Sequence, residues 1–178
     1  MRARGRVDYA TTLADMQAFT ERRSAQTVDE LWLLEHPPVY TLGLRVRDKQ
    51  LLGTPGVAVV ATDRGGDVTY HGPGQAVGYV LMDLQGRVWG IRRLANSIEQ
   101  AVIELLAEYR IVGARRDGAP GIYVEGRKIA ALGLRVRRGA SYHGLALNIR
   151  MDLEPFAAID PCGYPGLAVT QLADLVSE

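Results

Sequence analysis

G-I-Y-V-E-G-R-K-I-A-A-L-G-L-R-V-R-R-G-A-S-Y-H-G-L-A-L-N-I-R-M, residues 121–151, breaks into three extended segments: Gly121 to Glu125, Lys128 to Arg138 and Ser141 to Met151. The joints Glu125-Gly126-Arg127 and Arg138-Gly139-Ala140 supply glycine where a tight turn needs it, so the segments form an antiparallel meander. Upstream, Ile91, Leu94, Ile98, Val102, Leu105 and Tyr109 recur at the spacing of one helix face, which predicts a helix over Ile91 to Tyr109 lying on the sheet. A second helix is expected over Thr12 to Arg23 from Leu13, Met16 and Phe19. Strands are expected at Leu31 to Leu34, Val39 to Leu42, Val57 to Ala61 and Ala76 to Leu84, with His36-Pro37-Pro38 as a rigid corner. A loop from Asp160 to Gly166 and a short helix started by Thr170 close the chain. Neither a repeat nor a linker divides it, so residues 1–178 are expected to form one α+β domain, a mixed β-sheet with an antiparallel meander covered by helices.

Composition narrows the function classes. The 178 residues are 47% hydrophobic and 23% charged, ordinary values for a soluble globular domain. Lys and Arg number 21 against 20 Asp and Glu, a net +1 that argues against a dedicated nucleic-acid binder. Cys162 is the only cysteine, so the chain builds neither an intrachain disulfide nor a cysteine-rich metal site, and a reducing cytoplasmic setting is expected. The first residues lack the apolar stretch of a signal peptide, and no apolar run approaches the roughly 20 residues that span a bilayer.

The densest chemistry lies in Arg64-Gly65-Gly66-Asp67-Val68-Thr69-Tyr70-His71-Gly72-Pro73-Gly74-Gln75. Glycines let backbone N–H groups approach a ligand, Arg64 can pair with an anion and His71 can donate or accept, so this stretch reads as a ligand-contacting loop; the alternative is a tight strand connection. Three further residues stand out. Period-2 alternation puts Lys128 in phase with Ala130, Leu132 and Leu134, and His143 in phase with Leu145 and Leu147, which implies partial burial of both. A lysine out of water holds its proton less firmly, although at the start of a strand it ordinarily reaches solvent, and His143 can equally be a satisfied core histidine. Cys162, in Asp160-Pro161-Cys162-Gly163, sits in a turn where a cationic neighbour would favour the thiolate; an inert small hydrophobe is the alternative. The spacings among His36, His71 and His143 give zinc little support.

The string R-G-G-D-V-T-Y-H-G-P-G-Q-A-V-G-Y (64–79) resembles the signature of octanoyltransferases of the LipB type. L-E-H-P-P-V-Y-T-L-G (34–43), residues 121–136, Y-H-G-L-A-L-N-I (142–149) and P-C-G (161–163) resemble further blocks of that family, in family order. The resemblance implies the fold of the catalytic domain of biotin and lipoate protein ligases and a two-step transfer. Cys162 would take octanoyl from the phosphopantetheine thioester of octanoyl-acyl carrier protein. Lys128 would poise the thiol, then accept a proton from the lysine of a lipoyl domain that attacks the acyl-enzyme. It further implies substrate contacts at Arg64, Gly65, Gly66, Asp67, Val68, Thr69, Tyr70 and His71, at Ala131, Leu132 and Gly133, and at Gly144, Leu145 and Ala146, with His143 in support. Gly133, Gly144 and Ala146 would leave a slot for the acyl chain.

Simple alternation sets Lys128 on the side opposite Ala131 and Gly133, so a twist or bulge near Gly126 is needed. Asp160 stands where the family commonly has Asn, and its charge would disfavour a neighbouring thiolate. No ATP or metal is expected. The expected partners are octanoyl-acyl carrier protein, the lipoyl domains of 2-oxoacid dehydrogenases and the glycine cleavage H protein, met by a monomer without nucleic acid or membrane. The alternatives are an ATP-dependent lipoate or biotin ligase, which shares the fold without needing Cys162, and a non-catalytic carrier-domain binder using Arg115, Arg116, Arg135, Arg137 and Arg138.

Overall fold

A computed structural model describes residues 1–46, 56–159 and 168–176. Along the chain run β1 (Arg2–Arg6), α1 (Tyr9–Glu21), β2 (Glu30–Glu35), β3 (Val39–Leu42), β4 (Ala58–Ala61), β5 (Val68–His71), β6 (Gln75–Leu81), α2 (Ile91–Glu108), β7 (Gly121–Val124), β8 (Arg127–Arg137) and β9 (Ala140–Asn148). Short 3-10 turns follow at Glu154–Ala158 and Leu172–Asp174. Among the described residues these strands form two sheets, one in the order β1-β2-β6-β9-β8-β7 and a smaller one in the order β4-β3-β5. The large sheet is antiparallel except where β1 runs parallel to β2, and β3 is parallel to β4. Among the described residues no helix is long and apolar enough to cross a membrane.

The meander forms as its turns dictate. Glu125 and Gly126 both have positive φ (50° and 79°), as do Arg138 and Gly139 (52° and 77°), the backbone that two-residue hairpins require. Helix α1 begins three residues before the sequence expectation because Asp8 caps it, accepting from the Thr11 backbone N–H at 2.8 Å. Its Tyr9 and Met16 enter a core with Trp32, Leu34, Val77, Tyr79, Leu81 and Tyr142. Helix α2 buries Leu94, Ile98, Val102 and Leu106, a strict i, i+4 run. The expected stripe is therefore corrected at its ends: Leu105 and Tyr109 lie outward, and Leu106 takes the inner place. Val102 and Leu106 pack with Ile122, Val124, Ile129 and Leu147, covering the β7–β9 half of the sheet.

Three local expectations change. Strand β1, R-A-R-G-R, carries no apolar alternation and is held instead by backbone pairing to β2 and by ion pairs of Arg2 with Glu30, Arg4 with Asp15 and Arg6 with Glu35. The middle of the glycine-rich stretch is not loop: Val68–His71 is β5, paired with β3, its Val68 and Tyr70 buried. Thr170 starts no helix; its N–H donates to Lys128 O at 2.9 Å, and the 3-10 turn begins at Leu172. Gly144 is small for a backbone reason, since a Cβ there would stand 2.0 Å from Gly78 O of the adjacent β6 strand. Gly144→Ala should therefore cost about 2 kcal/mol or more of stability in urea unfolding, well above the effect of an ordinary surface substitution.

Candidate active site

One cavity of about 520 Å³ opens where the Arg64–Thr69 stretch crosses β8 and β9, inside the size range of roughly 300–1,000 Å³ usual for small-molecule sites. Its mostly apolar wall includes Ala131, Leu132, Leu134, Leu145 and Ala146 from the two strands. The crossing is fixed by backbone, Gly65 N–H donating to Leu134 O at 2.9 Å. Gly133 lies beneath it, where a Cβ would stand 3.0 Å from Gly65 O and 3.1 Å from Arg64 Cδ. The glycines thus serve close approach of chain to chain, at Gly133 to the Arg64 stretch and at Gly144 to β6, which corrects the idea that they simply leave an empty slot.

Of the residues singled out in the sequence, Arg64, Gly65, Gly66, Asp67, Val68, Thr69, His71, Lys128, Ala131, Leu132, Gly133, His143, Gly144, Leu145 and Ala146 line this cavity. Tyr70 does not. It packs with Tyr40, Met151, Ile159 and Phe156, a cluster of which Val68 and Phe156 reach the cavity wall. Cys162 lies outside the described residues. Gln75, the last residue of the stretch read as ligand-contacting, lies on the cavity wall, and the sequence reasoning did not single out Tyr9, Tyr79 and Asn148, which line it as well; nothing in their local spacing marks these three, since they meet only through the fold.

Lys128 reaches the wall by an irregularity in β8. Gly121 and Ile122 pair with Ala131 and Ala130, whereas Tyr123 and Val124 pair with Lys128 and Arg127, which leaves Ile129 as an extra residue. This bulge reverses the alternation and brings Lys128 to the same cavity as Ala131 and Gly133. Lys128 is 7% exposed, its Nζ donates to Pro120 O at 3.3 Å and lies 5.3 Å from the centroid of the Tyr123 ring. The chain that follows residue 167 is paired directly to it: Lys128 N–H donates to Ala168 O and Thr170 N–H to Lys128 O, each at 2.9 Å.

Arg64 is not aimed at an outside anion. Its NH2 group donates to Thr41 O at 2.7 Å and Thr41 Oγ1 at 2.9 Å, and NH1 to Gly65 O at 3.0 Å. Among the arginines weighed for docking, Arg137 and Arg138 pair with Glu21, and Arg115 with Glu99.

The three histidines, far apart in sequence, converge around Tyr9 and Tyr79. His36 and His71 ring centroids are 5.7 Å apart, and Tyr79 lies 6.0 Å from His143. His36 Nδ1 faces Val7 O, a pure acceptor, at 2.7 Å, so Nδ1 carries the proton and Nε2 accepts from Tyr79 OH at 2.7 Å. His143, at φ 60° and 1% exposed, donates from Nε2 to Asp63 Oδ1 at 2.9 Å, which leaves Nδ1 a buried acceptor with no partner among the described residues. Burial opposes ionisation of Asp63, yet hydrogen bonds from His143 and Tyr142 prevail and hold its carboxyl far below the usual range. Tyr142 is pushed up to about 12 by burial and then by that bond. Burial also holds His143 down, and lowers His71 to about 3 with help from His36, so these rings are neutral near pH 7. Among the described residues no group of three or more His, Cys, Asp or Glu is arranged to hold a metal ion.

Residues 8–178 match the family model described as lipoyl protein ligase A/B catalytic domain, and the chain belongs to that family. The fold is similar to that of a bipartite lipoate protein ligase from Thermoplasma acidophilum (TM-score 0.74, 16% identity, 100% of this chain and 77% of that one). It is also similar to that of lipoate-protein ligase A bound with ATP (TM-score 0.76, 18% identity, 100% and 79%). A biotin protein ligase from Aquifex aeolicus, in complex with biotin and ATP, is more distant (TM-score 0.55, 12% identity, 99% and 61%). At those identities the likeness establishes the fold. The sequence relatives are nearer: the octanoyltransferase of Thiobacillus denitrificans is 62% identical over 175 residues, covering 98% of this chain and 80% of its own. That of Dechloromonas aromatica is 59% identical over 170 residues, covering 96% and 83%. Within its family the chain is thus an acyltransferase of the octanoyltransferase kind.

An unfolded histidine takes a proton near pH 6.5, whereas folded His71 resists it down to about 3. The unfolded state therefore binds more protons between those values, and stability must fall as pH drops through that window. The His71 share is of order 3 kcal/mol between pH 7 and pH 4. His71→Gln should flatten the stability-versus-pH curve in urea titrations over this range. Asp63→Asn should act at lower pH, removing the part of the loss that begins near the ordinary carboxylate value of about 4.

Proposed function

We propose that the chain transfers an octanoyl group from octanoyl-acyl carrier protein to the ε-amine of a lipoyl-domain lysine, through a thioester on Cys162. The observation that carries this reading is the position of Lys128, a buried amine on the wall of an apolar cavity, with Ala168 and Thr170 paired to its own backbone. Ala168 is six residues after Cys162, so Pro161-Cys162-Gly163 stands close in sequence to the backbone that pairs with Lys128.

In the first half-reaction the Cys162 thiolate attacks the thioester carbonyl, the bond to the phosphopantetheine sulfur breaks, and the Lys128 ammonium gives the leaving thiolate its proton. In the second, the lipoyl-domain amine attacks the Cys162 thioester, an amide forms, and Lys128 takes the proton the amine sheds. A thioester is already activated, so neither ATP nor a metal is required. The methylenes of the acyl chain, at about 0.8 kcal/mol each, supply binding energy along the Ala131–Leu134 wall. His71, neutral near pH 7, is too weak a base to replace Lys128: protonating a group of pKa about 3 at pH 7 costs about 5 kcal/mol. Natural acceptors are the lipoyl domains of 2-oxoacid dehydrogenases and the glycine cleavage H protein, met in the cytoplasm by a monomer.

Mixing the protein with octanoyl-acyl carrier protein in the absence of ATP should give an octanoyl adduct on Cys162, seen by intact mass and mapped by peptide digestion. Labelling that instead needs ATP and free octanoate would favour the ligase. Lys128→Ala should slow both half-reactions by about 100-fold or more with an unchanged circular dichroism spectrum; ordinary rates in that variant would remove the amine from the chemistry.

A further inference from the structure

Two side-chain amides that the transfer chemistry leaves unused, Gln75 and Asn148, are nearly fully buried on the cavity wall. Their orientation follows from a pure acceptor. Asn148 Nδ2 faces the carbonyl of Thr170 at 3.0 Å and must donate, so Asn148 presents Oδ1 to Gln75. Gln75 meets it with Nε2 at 3.0 Å, and the same Nε2 faces Tyr70 O at 3.3 Å. Gln75 Oε1 is then turned to His71 Nδ1 at 2.7 Å, which fixes the proton of that ring on Nδ1 and leaves Nε2 an acceptor. Nε2 lies 3.5 Å from Thr41 Oγ1, a long contact, and Thr41 Oγ1 itself accepts from Arg64 Nε at 3.3 Å and NH2 at 2.9 Å.

Every link has the same sense. A guanidinium, which can only donate, stands at one end; Thr41, His71, Gln75 and Asn148 each accept from behind and donate ahead. The run ends on the Thr170 carbonyl, which accepts from Asn148; the Thr170 N–H, part of the preceding peptide unit, docks the same residue on Lys128 O at 2.9 Å. Aligned hydrogen bonds polarise one another, so a reversed member disturbs both neighbours. One end of this chain is the Arg64 stretch, which crosses β8 through Gly65 N–H to Leu134 O, and the other is Thr170, which is docked on the backbone of Lys128.

We infer that Gln75 and Asn148 are positioning residues for the acyl transfer: with His71 they carry a one-directional hydrogen-bond chain from Arg64 to the carbonyl of Thr170, the residue docked by its N–H on the Lys128 backbone, and so hold the amine beside the reacting carbonyl. This rests on the reading of Lys128 given above. The ionisable groups around the chain are Tyr9 of α1, stacked on His71 at 5.7 Å, His36 ahead of β3, Arg64, His143 of β9, and Lys128 beside Thr170.

The test uses a substitution that keeps shape and changes only the sense of one link. In Asn148→Asp the ionised carboxylate opposes the Thr170 carbonyl, acceptor against acceptor, whereas the protonated acid restores the donor. The ratio of variant to wild-type kcat for acyl-enzyme formation should therefore be down tenfold or more near pH 8 and climb back as pH falls toward about 6. KM for octanoyl-acyl carrier protein should stay within about twofold. Asn148→Leu should be slow at every pH. A folded Asn148→Asp protein whose ratio to wild type does not change with pH would overturn the inference, because the chain requires a donor facing the Thr170 carbonyl; a loss of rate that merely follows a loss of stability in urea over the same pH range would overturn it as well. Should that variant not fold, Gln75→Glu applies the same reversal one link earlier, with the same expected profile and the same overturning result. The wild-type protein labelled with 15N-histidine gives a reading independent of any variant: His71 should hold a single Nδ1–H tautomer between about pH 5.5 and 8, and an Nε2–H tautomer would overturn the chain. Absence of any octanoyl adduct on wild-type Cys162 would instead strike the transfer reading, with the tautomer result still deciding the direction of the chain.

Discussion

The extra residue at Ile129 is the constraint on which the rest of the site depends. Without it β8 would run in strict alternation, and Lys128 would lie on the far side of the sheet from Ala131 and Gly133. With it, one strand presents both an amine and the small residues of the cavity wall. The bulge also fits the chain at its edge. Lys128 stands opposite Tyr123 of β7, whereas the pairing of β9 with β8 goes no further than Ala130, so the backbone of Lys128 is left to pair with Ala168 and Thr170. A local break in ladder pairing thus becomes the point where distant parts of the chain meet.

Burial of polar groups is the second theme, and the arrangement is consistent in electrostatic terms. His36, His71 and His143 are all buried, and each has one ring nitrogen committed to an acceptor: a carbonyl, an amide oxygen or the Asp63 carboxylate. Neutral rings avoid the cost of buried charge, while Arg64, which cannot become neutral, is surrounded by carbonyl and hydroxyl oxygens. The centre is therefore rigid where charge is fixed and apolar where a hydrocarbon chain would lie.

How much of this was legible depends on whether the signal was local. Hairpin turns at Glu125-Gly126 and Arg138-Gly139 were visible because positive φ leaves a glycine signature, and α2 because its buried face repeats every fourth residue. Strand β1 was invisible because backbone pairing and ion pairs hold it rather than burial of its side chains. Strand β5 was hidden by the glycines on either side, and Tyr70 was grouped with the cavity residues because a family block was carried over whole. The need for a bulge before Ala131 could be stated from alternation alone, although its place at Ile129 could not. Asn148, Tyr9 and Tyr79 carry no pattern in their own neighbourhoods; only the pairing of β6 with β9 and the packing of α1 bring them to one wall.

One contact gives the amino-terminal residues a part in this interior. The carbonyl of Val7, between β1 and α1, is the acceptor that fixes the ring of His36, whose other nitrogen holds the hydroxyl of Tyr79 on the cavity wall. Val7 is itself docked by its N–H on Glu35 O at 3.0 Å. The opening segment, so rich in arginine and so exposed, is thereby a structural brace for the innermost aromatic group. A displacement of Val7 would reach the centre of the molecule through only two hydrogen bonds.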